Sequence, residues 1–417
     1  VWDMMKAVIL IMDGLGDRPC KTLSGMTPLQ IARKQLLDRL AVEGETGLVD
    51  VISPGLPNGS DTGHLAILGY NPFDNYPGRG PFEALGAGID LRSGDVAFRC
   101  NFATVGPDGV IVDRRAGRIT SEESAALARD LSEMSLPDHP DVRIIFKPTV
   151  EHRGVLVLRG SHLSPRVADT DPHQEGARVI EPNPMDSTEE ARTTSEILIT
   201  FLRKASQVLA NHEINRKRIG SGLPPANHLI LRGAGQFRAL QPIQQRFGVG
   251  CAVVAGGALY RGVCRAAGLD VMDVACATGT YVTYLGAKVQ AVMSAVKSYD
   301  LVLLHVKATD TASHDRNPAR KKEMIERVSQ SLGPLYELAG SGEIYIAVTG
   351  DHTTPSEIGE HRGDPVPILI WGPDVRRDCV ERFDEVSCSR GGLHRIRGVD
   401  IMPIISNYLG KMEMYGE

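Results

Sequence analysis

Lys6–Asp17 reads KAVILIMDGLGD, six consecutive apolar residues followed by an acid and a glycine-rich turn. The run is too short for a core helix and does not alternate. It therefore predicts a strand buried on both faces of a parallel sheet, with a functional loop at its carboxyl end. Leu301–Asp310 (LVLLHVKATD) and Ile344–His352 (IYIAVTGDH) repeat the arrangement of apolar strand and acidic tip, and Val366–Trp371 (VPILIW) is a fourth strand candidate. Apolar residues at helical spacing mark Thr27–Glu43, Leu285–Lys297 and Arg320–Leu338 as helices. Strand and helix in alternation predict an α/β fold, a mainly parallel sheet covered on both faces by helices. Ligands in such sheets bind beyond the carboxyl ends of the strands, where all the acidic tips fall.

The chain has 417 residues, more than one core holds, and the expectation is two domains. From about Gly80 to Met272 the texture changes to short β-like runs, many arginines and clusters of glycine, proline and aspartate. Because acidic strand tips lie on both sides of it, this stretch reads as a smaller α/β domain inserted into the first. The expected division is 1–76 with 276–417 as core and 77–275 as insert, with hinges near Tyr76–Pro81 and Ala275–Gly279 around a closing cleft. At 42% hydrophobic and 23% charged, the composition supplies packed cores.

Lys plus Arg number 46 against 51 Asp plus Glu, and a net charge of -5 offers no general attraction for nucleic acid or an anionic membrane. An anionic ligand must then be captured by a local cluster. The apolar runs Ala7–Met12 and Leu301–Leu304 fall far short of the roughly 20 residues of a membrane span, and Val1–Lys6 does not resemble a signal segment. The expected location is cytoplasmic; oligomeric state is not legible. Cys20, Cys100, Cys251, Cys264, Cys276, Cys379 and Cys388 are scattered without a CxxC pair, so reduced thiols are expected rather than a disulfide framework or zinc ribbon. Arg376, Arg377, Asp378 and the stretch Glu381–Glu385 read as solvated surface.

Asp13, Asp310, His314, Asp351, His352 and His361 form a set of strand-end donors. Three carboxylates and three imidazoles suit two divalent ions, with manganese or zinc matching the mixture. Any one of them alone is an ordinary turn or cap residue. The Asp-His neighbours and the Asp-x-x-x-His spacing let each pair reach one point. Ser60, in PNGSDTGHLAILGY, stands where a helix begins. Read alone it is an N-cap as readily as a reactive group; beside two metals its hydroxyl becomes an activated nucleophile in a field that suits phosphoryl oxygens.

DGLGDRP, NGSDTGHLAILGYNP, GRGPFEALGAGIDL, AFRCNFATV, DRRAGRI, DTDPHQEG, LRGAG, TGDHTTP and HRGDPVPI together resemble the archaeal branch of the cofactor-independent phosphoglycerate mutases, in the alkaline phosphatase superfamily. The resemblance runs from Lys6 to about Gly410. It implies a phosphatase-like core with an inserted transferase-like domain and two divalent ions, manganese first, with zinc, cobalt or magnesium as alternatives, and no need for 2,3-bisphosphoglycerate. By motif position, Asp310, His314 and His361 would hold one ion, and Asp13, Ser60, Asp351 and His352 the other, with Ser60 forming a phosphoserine. His64 receives no role. Where the family's metal block has glycine after His-Asp, Arg316 stands here, which affects only the local loop.

The implied reaction interconverts 3-phosphoglycerate and 2-phosphoglycerate, and Lys307 would add a positive charge near the phosphate or the leaving oxygen. Retention of glycerate between the two transfers falls to the insert, through Arg99, Asn101, Asp113, Arg114, Arg115, Arg118, Arg153, Asp171, His173 and Arg232, since arginine holds a carboxylate with paired hydrogen bonds. A phosphatase, phosphodiesterase or phosphopentomutase would share the metal ligands, and an inactive metal-binding scaffold would share the fold.

Overall fold

The computed structural model describes residues 5–132 and 134–416. Most of Val1–Lys6, read above for a signal segment, lies outside them. Strand β1 (Lys6–Met12) is buried at every position after the first. It is so because parallel strands flank it on both sides: β10 (Leu301–Val306) pairs with it from Ala7↔Leu301 to Met12↔Val306, and β11 (Ile344–Thr349) from Lys6↔Ile344 to Ile11↔Thr349. Parallel pairing brings the carboxyl ends of these three strands to one edge of the sheet, and with them Asp13, Lys307 and Asp351.

Among the described residues the full sheet has eight strands. The others are β2 (Glu45–Asp50), β8 (Cys251–Val254), β9 (Asp270–Val271), β12 (Val366–Trp371) and β13 (His394–Arg397), in the order β13-β2-β12-β11-β1-β10-β8-β9. Pairing is parallel except where β12 runs antiparallel to β11 and to β2. Side chains alternate across a strand. Val8, Leu10 and Met12 pack with Val302, Leu304, Ile346 and Val348 against the helices Leu285–Ala295 and Pro318–Ser331, through Val289, Val292, Met324 and Ile325.

The sequence placed residues 240–275 in the insert; the chain instead folds them with the core. The compact units are 1–76 with 240–417, and 77–239. The reason is strand pairing: β8 adds parallel to β10, and β9 to β8. The hinge candidate Ala275–Gly279 therefore lies inside the core unit. Two expected helices are also divided. Thr27–Glu43 forms Pro28–Ile31 and Gln35–Glu43, with Ala32 extended between them. Arg320–Leu338 forms Pro318–Ser331 and Gly333–Ala339, the second carrying a proline in its first turn, the position where a missing N–H costs nothing.

The stretch read as solvated surface is partly structural. Asp378 accepts hydrogen bonds from the Thr46 amide and hydroxyl and from the amides of Val380 and Gly392. Asp384 is 2% exposed. Glu385 accepts from the Asp17 amide and the Thr27 hydroxyl.

In the second unit, β3 (Val96–Val105) pairs antiparallel with β4 (Ile111–Asp113), β6 (Arg153–Arg159) and β7 (His228–Gln236), and β5 (Arg143–Pro148) pairs with β6. Phe98, Cys100 and Phe102 point to one face, where the helices Ser121–Ser132 and Glu189–Asn211 cover them with Leu127, Leu131, Leu198 and Phe201. Arg99 and Asn101 point to the other. All seven cysteines are free, with Cys276 and Cys379 exposed. No described helix is long and apolar enough to cross a membrane.

Candidate metal and nucleophile site

The helix Ser60–Ile67 starts at the very residue the sequence offered as its cap, one position earlier than that reading implies. Gly59 holds the extended cap conformation, and Ser60 is the first helical residue. The capping role left open for Ser60 thus belongs to glycine, and the hydroxyl turns elsewhere. Ser60 Oγ lies 3.0 Å from His352 Nε2 and 3.4 Å from Asp13 Oδ1. Gly63 makes this approach possible: a Cβ there would stand 2.4 Å from the Asp351 carbonyl. Gly14 does the same for the loop after β1, with a positive φ of 61° and room for no Cβ beside Asp310 Oδ1.

Two sets of donors converge among the described residues. Asp13, Asp351 and His352 offer ligand atoms within 4.8 Å of one another, as do Asp310, His352 and His361. His314, the partly exposed member, sits 3.2 Å from both Asp310 Oδ2 and His361 Nε2. The six strand-end donors of the sequence reading are therefore together, with Ser60 among them, and His352 lies at the junction of the two sets.

The chemistry of this cluster fits cations. Asp13, Asp310 and Asp351 are fully buried, and among the described residues Lys307, 3.2 Å from Asp13 Oδ1 and in short contact with Asp310 Oδ2, is the one ammonium paired with any of them. Asp351 Oδ1 accepts from the Gly14 amide at 2.9 Å, but its Oδ2 has no hydrogen-bond partner. His64 Nδ1 stands 3.3 Å from that oxygen, yet its proton goes to the Ser60 carbonyl at 2.7 Å. A buried carboxylate oxygen without a donor costs several kcal/mol unless a cation meets it. The imidazoles are prepared in the same sense. His361 Nδ1 donates to the Asn58 carbonyl at 2.7 Å and His314 Nδ1 to the Gly359 carbonyl at 2.9 Å, which leaves each Nε2 lone pair for a ligand.

Charge states follow from the surroundings. Burial works to raise the Asp13 pKa, but Lys307, His305 and His352 outweigh it and hold the carboxylate well below its usual range. Burial and the Asp13 charge oppose ionisation of Asp351 too, and the neighbouring His352 leads the groups that outweigh them, so its pKa is lowered. Lys307 is kept charged far above its ordinary value by Asp13 and Asp310 despite its burial. Hydrogen bonding to Asp310 raises His314, whereas burial lowers His361.

Sequence reading missed the supports of this cluster. His305 Nε2 donates to Asp13 Oδ2 at 2.9 Å, and burial pushes its pKa down to about 4, so it is neutral. Tyr260 stacks on His305 with ring centres 3.8 Å apart. Thr309 Oγ1 donates to the Asp13 carbonyl at 2.6 Å, and Thr354 Oγ1 lies between Asp310 and His352. A histidine inside the apolar strand LVLLHV was the available signal for the first. Tyr260 was hidden by the domain boundary that placed it in the insert.

Within the insert, strand register gathers the arginines. Arg99 lies opposite Arg232 across β3 and β7, and Asn101 opposite Arg153 across β3 and β6, so all four share one face. Arg114 forms a forked pair with Asp171 at 2.9 and 2.6 Å, and His173 Nδ1 lies 3.4 Å from both Arg114 and Arg232. Burial lowers Arg99 to about 9 against the pull of Glu83, 3.7 Å away. A cavity of about 520 Å³ is lined by Arg114, Arg115, Arg118, His173 and the acids Asp113 and Glu175. Asp113 is engaged in its own turn, its two oxygens accepting the amides of Arg115 and Gly117.

The model of the 2,3-bisphosphoglycerate-independent phosphoglycerate mutase family matches residues 41–215. A Methanocaldococcus jannaschii protein named 2,3-bisphosphoglycerate-independent phosphoglycerate mutase 1 is 46% identical over 411 residues, covering 99% of each chain. A Pyrobaculum neutrophilum protein named 2,3-bisphosphoglycerate-independent phosphoglycerate mutase is 45% identical over 418 residues, covering 99% of this chain and 100% of its own. Among solved structures, a Pyrococcus horikoshii protein superposes with a TM-score of 0.86 at 38% identity over 99% of each chain. A cofactor-independent phosphoglycerate mutase from Thermoplasma acidophilum superposes with a TM-score of 0.72 at 36% identity over 97% of this chain and 100% of its own. Likeness at this level over the whole length, on both units, means that the chain belongs to the 2,3-bisphosphoglycerate-independent phosphoglycerate mutase family.

Proposed function

We propose that the protein interconverts 3-phosphoglycerate and 2-phosphoglycerate without 2,3-bisphosphoglycerate, carrying the phosphoryl group on Ser60. The observation that carries the reading is the buried Ser60 hydroxyl, 3.0 Å from His352 Nε2 and 3.4 Å from Asp13 Oδ1. Around it stand the three buried carboxylates Asp13, Asp310 and Asp351, of which Asp351 Oδ2 has no hydrogen-bond partner. Asp310, His314 and His361 would hold one divalent ion and Asp13, Ser60, Asp351 and His352 the other; manganese suits these donors best. Bound there, the two ions supply positive charge to the transferring phosphoryl group and favour the deprotonated seryl oxygen.

The chain's own groups do the rest. The Ser60 oxygen attacks phosphorus, the bond from phosphorus to the substrate's 3-oxygen breaks, and the departing oxygen takes up a proton. Lys307 adds charge where the equatorial oxygens gather it. In the second transfer the 2-hydroxyl gives up its proton, attacks the phosphoserine and restores free Ser60. Between the two steps glycerate must be retained and turned. The arginines 99, 114, 153 and 232 offer forks that match its carboxylate, and Asp171 holds the Arg114 guanidinium in place. A hydrolase on the same ligands would release inorganic phosphate instead. The family match over both units favours transfer.

The test couples 2-phosphoglycerate formation to enolase without added 2,3-bisphosphoglycerate. Activity that requires divalent metal, is abolished by chelation and is lost by at least about 10³-fold in Ser60→Ala supports the reading. Full activity after exhaustive chelation, or phosphate release in place of product, contradicts it.

A further inference from the structure

We infer that Thr354 is a positioning residue whose one hydroxyl fixes the tautomer of His352 and joins the two ion sites; the inference rests on the two-ion reading above. Thr354 is fully buried on the loop that follows β11. Its Oγ1 lies 3.0 Å from Asp310 Oδ1 and 2.8 Å from His352 Nδ1. A threonine hydroxyl has a single proton to give. Asp310 faces Lys307 and His314 with its other oxygen, so it is an acceptor, and the threonine proton goes to it. The lone pair of the same hydroxyl must then accept from His352 Nδ1–H. Once the ring is neutral, His352 Nε2 is therefore the nitrogen without a proton, on the side where Ser60 Oγ and Asp13 Oδ1 stand at 3.0 and 3.3 Å.

The bridge joins the sets because Asp310 belongs with His361, whereas His352 also serves Asp13 and Asp351. Its backbone is clamped by a second device. Lys321, fully buried on the helix Pro318–Ser331, donates to the Thr354 carbonyl at 3.1 Å, the Gly16 carbonyl at 2.9 Å and Asp17 Oδ2 at 2.9 Å. The Thr354 amide donates to the same Gly16 carbonyl. The loops after β1 and β11 are thereby locked together around one ammonium. The neighbouring Thr353 Oγ1 is buried with no partner, so it makes a control with the same chemistry and none of the geometry.

The test uses the full chain with Thr354→Val, Thr354→Ser and Thr353→Val. Nitrogen NMR of labelled histidine in the metal-free protein, at alkaline pH, reads the tautomer. Calorimetry reads manganese affinity. We expect His352 to carry its proton on Nδ1 in the wild type, in Thr353→Val and in Thr354→Ser, and to lose that preference in Thr354→Val. Manganese affinity should fall by about 10- to 100-fold in Thr354→Val alone. An unchanged tautomer in Thr354→Val overturns the inference, as does unchanged affinity. A wild type that binds no divalent ion overturns the two-ion reading instead, and the tautomer spectrum then decides the role of Thr354 without it.

Discussion

A carboxylate directs a ligand only if its second oxygen is held, and Asp13 is held by His305. Replacing His305 with leucine should therefore lower manganese affinity by about 10- to 100-fold in calorimetry, with the fold retained; unchanged affinity would show that Asp13 needs no such partner. Acid should weaken metal binding with a definite sign. The pKa of His314 is raised by its bond to Asp310, and a protonated Nε2 cannot ligate. As pH drops, affinity should begin to fall at a higher pH than an ordinary imidazole would give. Calorimetry across pH checks this, and a profile that falls no earlier than an ordinary imidazole titrates contradicts it. At this scale the sequence was informative where chemistry clusters at strand tips, as at Asp13, Asp310 and Asp351. It was silent on Thr354 and Thr309, because a hydroxyl that bridges two ligands looks like any threonine until the loops are folded.

Elements were legible where one interaction decides them. The continuous apolar run of β1 dictates burial between two parallel neighbours, and that pairing alone brings the acidic tips to one edge. Long helical patterns misled at Ala32, where the periodicity continues and the backbone turns extended, and at Leu332, where one helix ends and the next begins. Glu385 shows why a charged stretch need not be surface. Its carboxyl is pushed up to about 7 by burial while bonding Thr27, which caps the helix Pro28–Ile31. Because the folded carboxyl holds its proton to higher pH than the unfolded one, the native state binds more protons between about 4.5 and about 7. Stability should fall as pH rises through that window and stay lower above it. Glu385→Gln should remove this part of the slope, seen as a growing difference in urea midpoint between the two proteins as pH rises. Parallel curves would show that Glu385 does not titrate in this range.

At the scale of the whole molecule, an insert was visible from the change in texture, but its end was not. The short strands β8 and β9 have too few residues to announce themselves, and only their addition beside β10 assigns 240–275 to the core. The arginine face of the insert was likewise legible as composition rather than geometry, since the register that sets Arg99 opposite Arg232 is a long-range property. Arg232→Gln should raise KM for 3-phosphoglycerate by roughly 10- to 100-fold, the loss of a charge-assisted hydrogen bond, with a smaller change in kcat. A change confined to kcat would separate this face from substrate retention. The proposed mutase reaction requires Ser60 to become a transient phosphate carrier. The most direct measurement is rapid quenching of metal-loaded enzyme during turnover of 3-phosphoglycerate, followed by peptide mass spectrometry. Phosphate on Ser60 that appears before product, and is absent after chelation, is the predicted result; turnover at full rate with Ser60 never modified would contradict it.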